Sequence, residues 1–259
     1  GMGVEGVAIP TLVSRMVAAV MIMILVRHPD NVIRVTSISQ LRPRKDMVGK
    51  ILSVGIPSGL ENGMFQFGKL FLQSLVSTLG TAAIAGFAVA SNLVTLEYLA
   101  GNALGLGLIT IVGQCVGAGE VEQAKSYTKK LLVINYLAAA VVCLVIVAFR
   151  NPIVSFYNLS QEAAVLTASL LVVHSVAMIV WPPAFVVPNA LRAGMDTRFT
   201  MTVSVFSMWA FRIGFGYLFV KAIHFGVLGI WYGMFIDWVF RAVLFVWRFR
   251  QFGKIARRV

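Results

Sequence analysis

Seven apolar runs, at about residues 4–26, 53–78, 83–113, 131–149, 163–190, 199–221 and 226–247, take up most of the chain. A membrane-spanning helix needs ~20 predominantly apolar residues, and each run is at or beyond that length. A soluble domain is about 45–50% apolar and about 25% charged. Here 59% of the 259 residues are hydrophobic and 12% are charged. A surplus of that size cannot be hidden in one water-soluble core. The runs predict an all-α membrane protein with about seven transmembrane helices, some tilted because they exceed the minimum length.

The net charge of +12 would suggest a nucleic-acid partner in a soluble protein. The basic residues instead sit between the apolar runs, so no nucleic acid is expected. One side of the membrane collects Arg27, Arg34, Arg42, Arg44, Lys45 and Lys50, then Lys125, Lys129, Lys130, Arg192 and Arg198, and finally Arg248, Arg250, Lys254, Arg257 and Arg258. The opposite side receives Arg150 and Lys221. Cytoplasmic loops carry the excess of Lys and Arg. The expected protein is therefore multi-pass in the cell membrane, with its N-terminal end outside and its C-terminus cytoplasmic, touching lipid headgroups there. The two cysteines, Cys115 and Cys143, predict neither a disulfide nor a metal site.

Residues 28–50 are polar and basic and contain Pro29 and Pro43, so they read as a linker between two halves. The first run stands alone before that linker. Its opening, Gly3-Val4-Glu5-Gly6-Val7, resembles Gly226-Val227-Leu228-Gly229-Ile230 at the start of the last run, and both runs point the same way. Equivalent helices of one direction imply a parallel repeat. The expected division is 1–27 as the last helix of a preceding N-terminal lobe, 28–50 as a cytoplasmic linker, and 51–259 as a six-helix C-terminal lobe.

Helix breakers cluster within the runs. Pro57 lies in Gly55-Ile56-Pro57-Ser58-Gly59, and Trp181-Pro182-Pro183 with Pro188 should kink the fifth run. Pro57, Pro182 and Pro183 are candidate hinges. Gly101, Gly105, Gly107 and Gly113 should let the third span approach its neighbours. Ionisable residues at membrane depth cost at least ~2.5–3.5 kcal/mol on insertion scales, so those found there are paired or functional. Asp237 and Arg241, four apart, should neutralise each other. Glu61 and Glu97 are the candidate cation-coupling or substrate-binding groups, with Asn62, Gln66, Lys69 and Asn92 as polar neighbours. A cross-helix bond to Lys69 or Arg212 is the alternative role for the two acids, and packing is the expected role of His174. No phosphate-binding loop, zinc-protease motif or serine–histidine–acid context occurs, so an enzyme is not expected.

Gly113-Gln114-Cys115-Val116-Gly117-Ala118-Gly119-Glu120-Val121-Glu122-Gln123-Ala124-Lys125 resembles a loop motif of the multidrug and toxic compound extrusion (MATE) transporters, of the form G-Q-N-x-G-A-G-x-x-x-x-A-R/K. Leu191-Arg192-Ala193-Gly194-Met195-Asp196-Thr197-Arg198 resembles a second family signature, L-x-G-x-G-D-T/x-R. Gly55 to Leu60 resembles the start of the family's seventh helix, and Gly226 to Trp231 the start of its twelfth. The resemblance implies half of a twelve-helix, two-lobe fold, monomeric when complete, whose N-terminal lobe precedes this sequence. It also implies export of organic cations and xenobiotics by antiport against Na+ or H+, with no further cofactor. The signature residues Gly113, Gln114, Gly117, Gly119, Arg192, Gly194 and Asp196 would shape cytoplasmic loops. The sodium-coupled branch places its seventh-helix acid near Phe65 and Gln66, one turn beyond Glu61, and Pro182 falls near its tenth-helix acid. The resemblance therefore leaves the ion open between Na+ and H+. A lipid-linked oligosaccharide flippase of the same superfamily is the alternative, suggested by Arg15, Lys69 and Arg212.

Overall fold

In hydrocarbon every backbone N–H and C=O must find a partner within the protein, and a helix supplies one inside its own segment. The structure, a computed structural model, describes residues 5–27 and 45–256, and its regular elements there are helices. The chain divides into two units, Gly1–Ile51 and Leu52–Val259. In the first, α1 (Glu5–Arg27) is an apolar helix with exposed side chains throughout most of its length, Arg15 among them. The beginning of the expected repeat and most of the expected linker lie outside the described residues. Lys45 to Lys50, expected to close the linker, are already helical as the first turns of α2 (Lys45–Ser77).

The helices that follow are α3 (Thr81–Gly117), α4 (Val121–Ala148), the short α5 (Arg150–Ser155), α6 (Gln161–Ala177), α7 (Trp181–Phe185) and α8 (Val187–Ala193). Then come α9 (Thr197–Ser207), a π-helical turn at Met208–Ile213, α10 (Gly214–Lys221), α11 (Gly226–Arg250) and α12 (Phe252–Ala256). Among the described residues five spans are long and apolar enough to cross a membrane, and the bent pair α6 with α7–α8 makes six. The remaining expected span, α2, has the length at 33 residues but is less apolar, because it carries Glu61, Asn62, Gln66 and Lys69. The molecule is thus a multi-pass membrane protein. Its outward side chains agree: Leu70, Leu99, Leu106, Leu137, Leu144 and Ile179 are all exposed, as lipid-facing groups would be.

Helix α3 packs against α4, α6 and α8, while α11 packs against α7, α10 and the π-helical turn. Two glycines explain how closely α3 is approached. A Cβ on Gly101 would come within 2.2 Å of the Trp181 ring, and one on Gly105 within 2.5 Å of Asn189 Nδ2. Gly107 and Gly113, expected to do the same, have nothing within 4 Å. Gly233 lets α11 approach α10, where an added Cβ would lie 2.7 Å from the Gly216 nitrogen.

The proline expectations divide. Pro57 sits inside α2 without ending it. The fifth run does break: α6 and α7–α8 meet at 73° across residues 178–180. Proline lacks an N–H, so Pro183 leaves the Ile179 carbonyl without its helical donor. The Tyr136 hydroxyl on α4 donates to that carbonyl at 3.0 Å, which satisfies it within the bundle. In the next span the register slips instead. One π-helical turn inserts an extra residue, a feature frequent at functional sites, and it carries Arg212.

Candidate functional site

Three polar assemblies occur among the described residues of the Leu52–Val259 unit. In the first, Glu97 and His174 are buried and Ser175 is part-buried. Glu97, 1% exposed on α3, meets Nδ1 of His174 through its Oε2 at 2.5 Å. The Ser175 hydroxyl donates to its Oε1 at 2.6 Å. His174 is held between the edges of Trp231 and Trp238, with ring centroids 5.2 and 5.3 Å away. An acid and an imidazole at this separation can hold one proton on either partner. The bonds also correct two expectations: His174 is more than packing, and Glu97 pairs with neither Lys69 nor Arg212.

The second assembly is a chamber of about 530 Å³ walled by α2, α3, α6, α7, the π-helical turn and α11. Lys69, Arg212 and His174 line it together with Gln73, Ser91, Thr95, Tyr98 and Asn102, and its apolar wall includes Phe65, Trp181, Phe185, Trp231 and Trp238. Tyr98, Trp181 and Phe185 stack in sequence, at 5.9 and 5.1 Å with their planes nearly parallel. Phe65 gathers three cations, with Lys69, Arg212 and Arg241 at 5.4, 5.3 and 5.4 Å from its ring centre. Of the three, Arg241 has the expected carboxylate, Asp237, at 2.7 Å, and it also donates to the Ser204 carbonyl.

The third assembly gathers the two signature loops and the ion pairs around them. Helix α3 ends in a Schellman turn: Gly119, at φ 79°, donates to the Val116 carbonyl, and Glu120 donates to the Cys115 carbonyl. The second signature repeats the device after α8, with Met195 donating to Arg192 and Asp196 to Leu191. Here the left-handed position, φ 65°, is occupied by Met195, where the signature aligned on Asp196 has glycine. The Asp196 carboxylate receives Arg248 of α11 at 2.7 and 3.3 Å, and Arg248 lies 4.7 Å over the Phe199 ring. Arg192 reaches Glu61 at 2.6 Å and Asn189 at 2.8 Å.

The sequence-derived candidates therefore do not form one site. Glu61 is locked onto Arg192 and Glu97 onto His174, while Lys69 alone of the six lines the chamber. Asn62 donates back to the Ser58 carbonyl of its own helix, and Asn62, Gln66 and Asn92 are exposed outside the chamber wall. Sequence reasoning missed the roles of His174, Ser175 and the aromatic wall. The only available signal was a set of tryptophans inside apolar runs, and no spacing links Glu97 to a histidine 77 positions away.

A helical membrane lobe with an interior polar chamber and ion-paired loops at one end is the architecture of a membrane transporter. The MatE family model matches residues 57–218. The chain belongs to the MatE family, whose members are transporters and not enzymes. It is 26% identical over 246 residues to the probable multidrug resistance protein NorM of Thermotoga maritima, covering 94% of this chain and 52% of that protein. It is 29% identical over 219 residues to the multidrug resistance protein NorM of Burkholderia vietnamiensis, covering 82% and 47%. The chain thus spans about half the length of the curated relatives it matches. A solved outward-facing conformation of a multidrug resistance MATE family transporter matches with a TM-score of 0.87 at 21% identity, over 99% of this chain and 58% of that one. At that identity the likeness establishes the fold.

Proposed function

We propose that this chain supplies one lobe of a secondary-active efflux transporter, which exports amphiphilic xenobiotics, organic cations among them, by ion-coupled alternating access. The names of the curated relatives, multidrug resistance proteins, support this reading. On this reading residues 1–27 are the last helix of the N-terminal lobe and the rest of that lobe is the chain's partner. The protein works as a monomer in the cell membrane, and the basic loops set its C-terminus in the cytoplasm.

The observation that carries the mechanism is the buried Glu97–His174–Ser175 cluster beside the chamber. His174 lines the chamber and Glu97 lies behind it, so the imidazole is the route by which a proton reaches the carboxylate. Both Glu97 oxygens already have partners, which leaves little of the six-oxygen shell a hard cation prefers and favours H+ over Na+ as the coupling ion. Protonation of Glu97 would alter its bond to His174 and shift α3 against α6, linking proton entry to a change of access. Glu61 takes a supporting role through Arg192.

The test uses ethidium efflux from energised cells expressing the complete protein. Glu97→Gln should remove efflux by roughly 100-fold, as loss of a positioned proton-transfer group does, while the protein still reaches the membrane. Undiminished efflux by that variant would take Glu97 out of the mechanism. Glu61→Gln should retain measurable efflux, in keeping with a role in tying α2 to α8 rather than at the coupling step.

A further inference from the structure

The chamber is built to receive negative charge. Among the described residues no carboxylate lines it, whereas Lys69 and Arg212 do. Glu97 is engaged by His174 and Ser175, and Asp237 by Arg241 through Oδ1, its Oδ2 being buried without a hydrogen-bond partner. Neither Lys69 nor Arg212 forms an ion pair among the described residues; Asp237 attracts Arg212 through space only, and Arg212 donates to the weak thioether of Met234 at 3.0 Å. Two buried polar atoms on chamber residues lack a hydrogen-bond partner, Nε of Arg212 and Nε1 of Trp238, and both are donors. A buried donor without an acceptor is costly, more so when charged, so a ligand that supplies acceptors recovers that energy. The parallel rings of Tyr98, Trp181 and Phe185 offer a flat apolar wall at the same place. A volume of about 530 Å³ falls within the range of small-molecule pockets.

We propose that this chamber is a binding subsite for an aromatic carboxylate, whose oxygens accept from Arg212 and Trp238 beside the Lys69 ammonium while its ring lies along the stacked aromatic wall. Organic cations are then handled by surfaces other than this one. That the bound anion is cargo rests on the efflux reading above; that it binds does not.

The experiment titrates the purified complete protein, in neutral detergent and without an ion gradient, with anthracene carboxylate and with the matching anthracene trimethylammonium. Energy transfer from tryptophan reports binding, because Trp181, Trp231 and Trp238 line the chamber. The carboxylate should bind at least ~10-fold more tightly than the ammonium, and Arg212→Gln should weaken it by roughly 10-fold, with Arg212→Lys recovering part of the loss. Lys69 is exposed, so Lys69→Gln keeps the fold and should weaken the carboxylate by itself, which decides the matter if Arg212→Gln misfolds. Equal affinity for the two probes, or unchanged affinity in folded Arg212→Gln or Lys69→Gln protein, would overturn the subsite. Failed ethidium efflux with intact carboxylate binding removes only the efflux reading. Intact efflux with no carboxylate binding removes only the subsite.

Discussion

Met195 shows how one residue can oppose its own backbone. It holds φ 65° in the turn between α8 and α9, a conformation that disfavours any side chain with a Cβ. The turn is kept because Asp196, next along, caps the exposed end of α8 and fastens the loop to Arg248. Replacing Met195 with glycine should therefore raise stability by about 1 kcal/mol, read as a higher Tm of the detergent-solubilised protein. A fall in Tm would mean that the Met195 side chain contributes more than its backbone costs. Removing the loop's anchor should do the reverse: Asp196→Asn keeps the size but loses the charged bond to Arg248, with a loss of up to about 1 kcal/mol, since both groups are part-exposed.

At the scale of the element, the broken α6–α8 span depends on a neighbour. Its Ile179 carbonyl is completed by the Tyr136 hydroxyl of α4 at 3.0 Å. Tyr136→Phe should destabilise the lobe by about 1 kcal/mol, the scale of a hydrogen bond between membrane helices, and should speed hydrogen exchange around residues 176–181 more than elsewhere. Unchanged exchange there would mean that the bend is held by packing alone. The break itself was legible in Trp181-Pro182-Pro183, because proline acts on the backbone locally. So was the pairing of Asp237 with Arg241, set by helical spacing. The slip into a π-helical turn at Met208–Ile213 was not, since no proline or glycine marks its start and it is held by packing against α11 and α2. Nor was the Glu97–His174 bond, which depends on how two distant helices are rotated about their axes. Glu61 misled for a related reason: the sequence showed no base nearby on its own helix, and Arg192 arrives from the last turn of α8, more than a hundred residues on.

For the whole molecule, long apolar runs carried the class and, among the described residues, the number of spans to within one; the distribution of basic residues predicts the direction of insertion. Family membership rests on residues 57–218. Orientation can be checked in intact cells with Cys115 and Cys143 replaced by serine. Asn158→Cys, in the turn after α5, should react with a membrane-impermeant maleimide from outside. Glu120→Cys, between α3 and α4, should react only after permeabilisation. The opposite pattern would invert the topology drawn from the positive-inside rule.

Glu97, Gly101 and Gly105 follow one another at four-residue steps, and so ride on a single face of α3. The carboxylate grips an imidazole from α6, the first glycine seats an indole from α7, and the second seats an amide from α8. The helix is thus a camshaft whose three lobes press on successive segments of one broken span. A small turn of the shaft cannot free the acid without also lifting the indole and the amide, so occupancy deep in the bundle and the shape of the aromatic wall are timed together by the same rod.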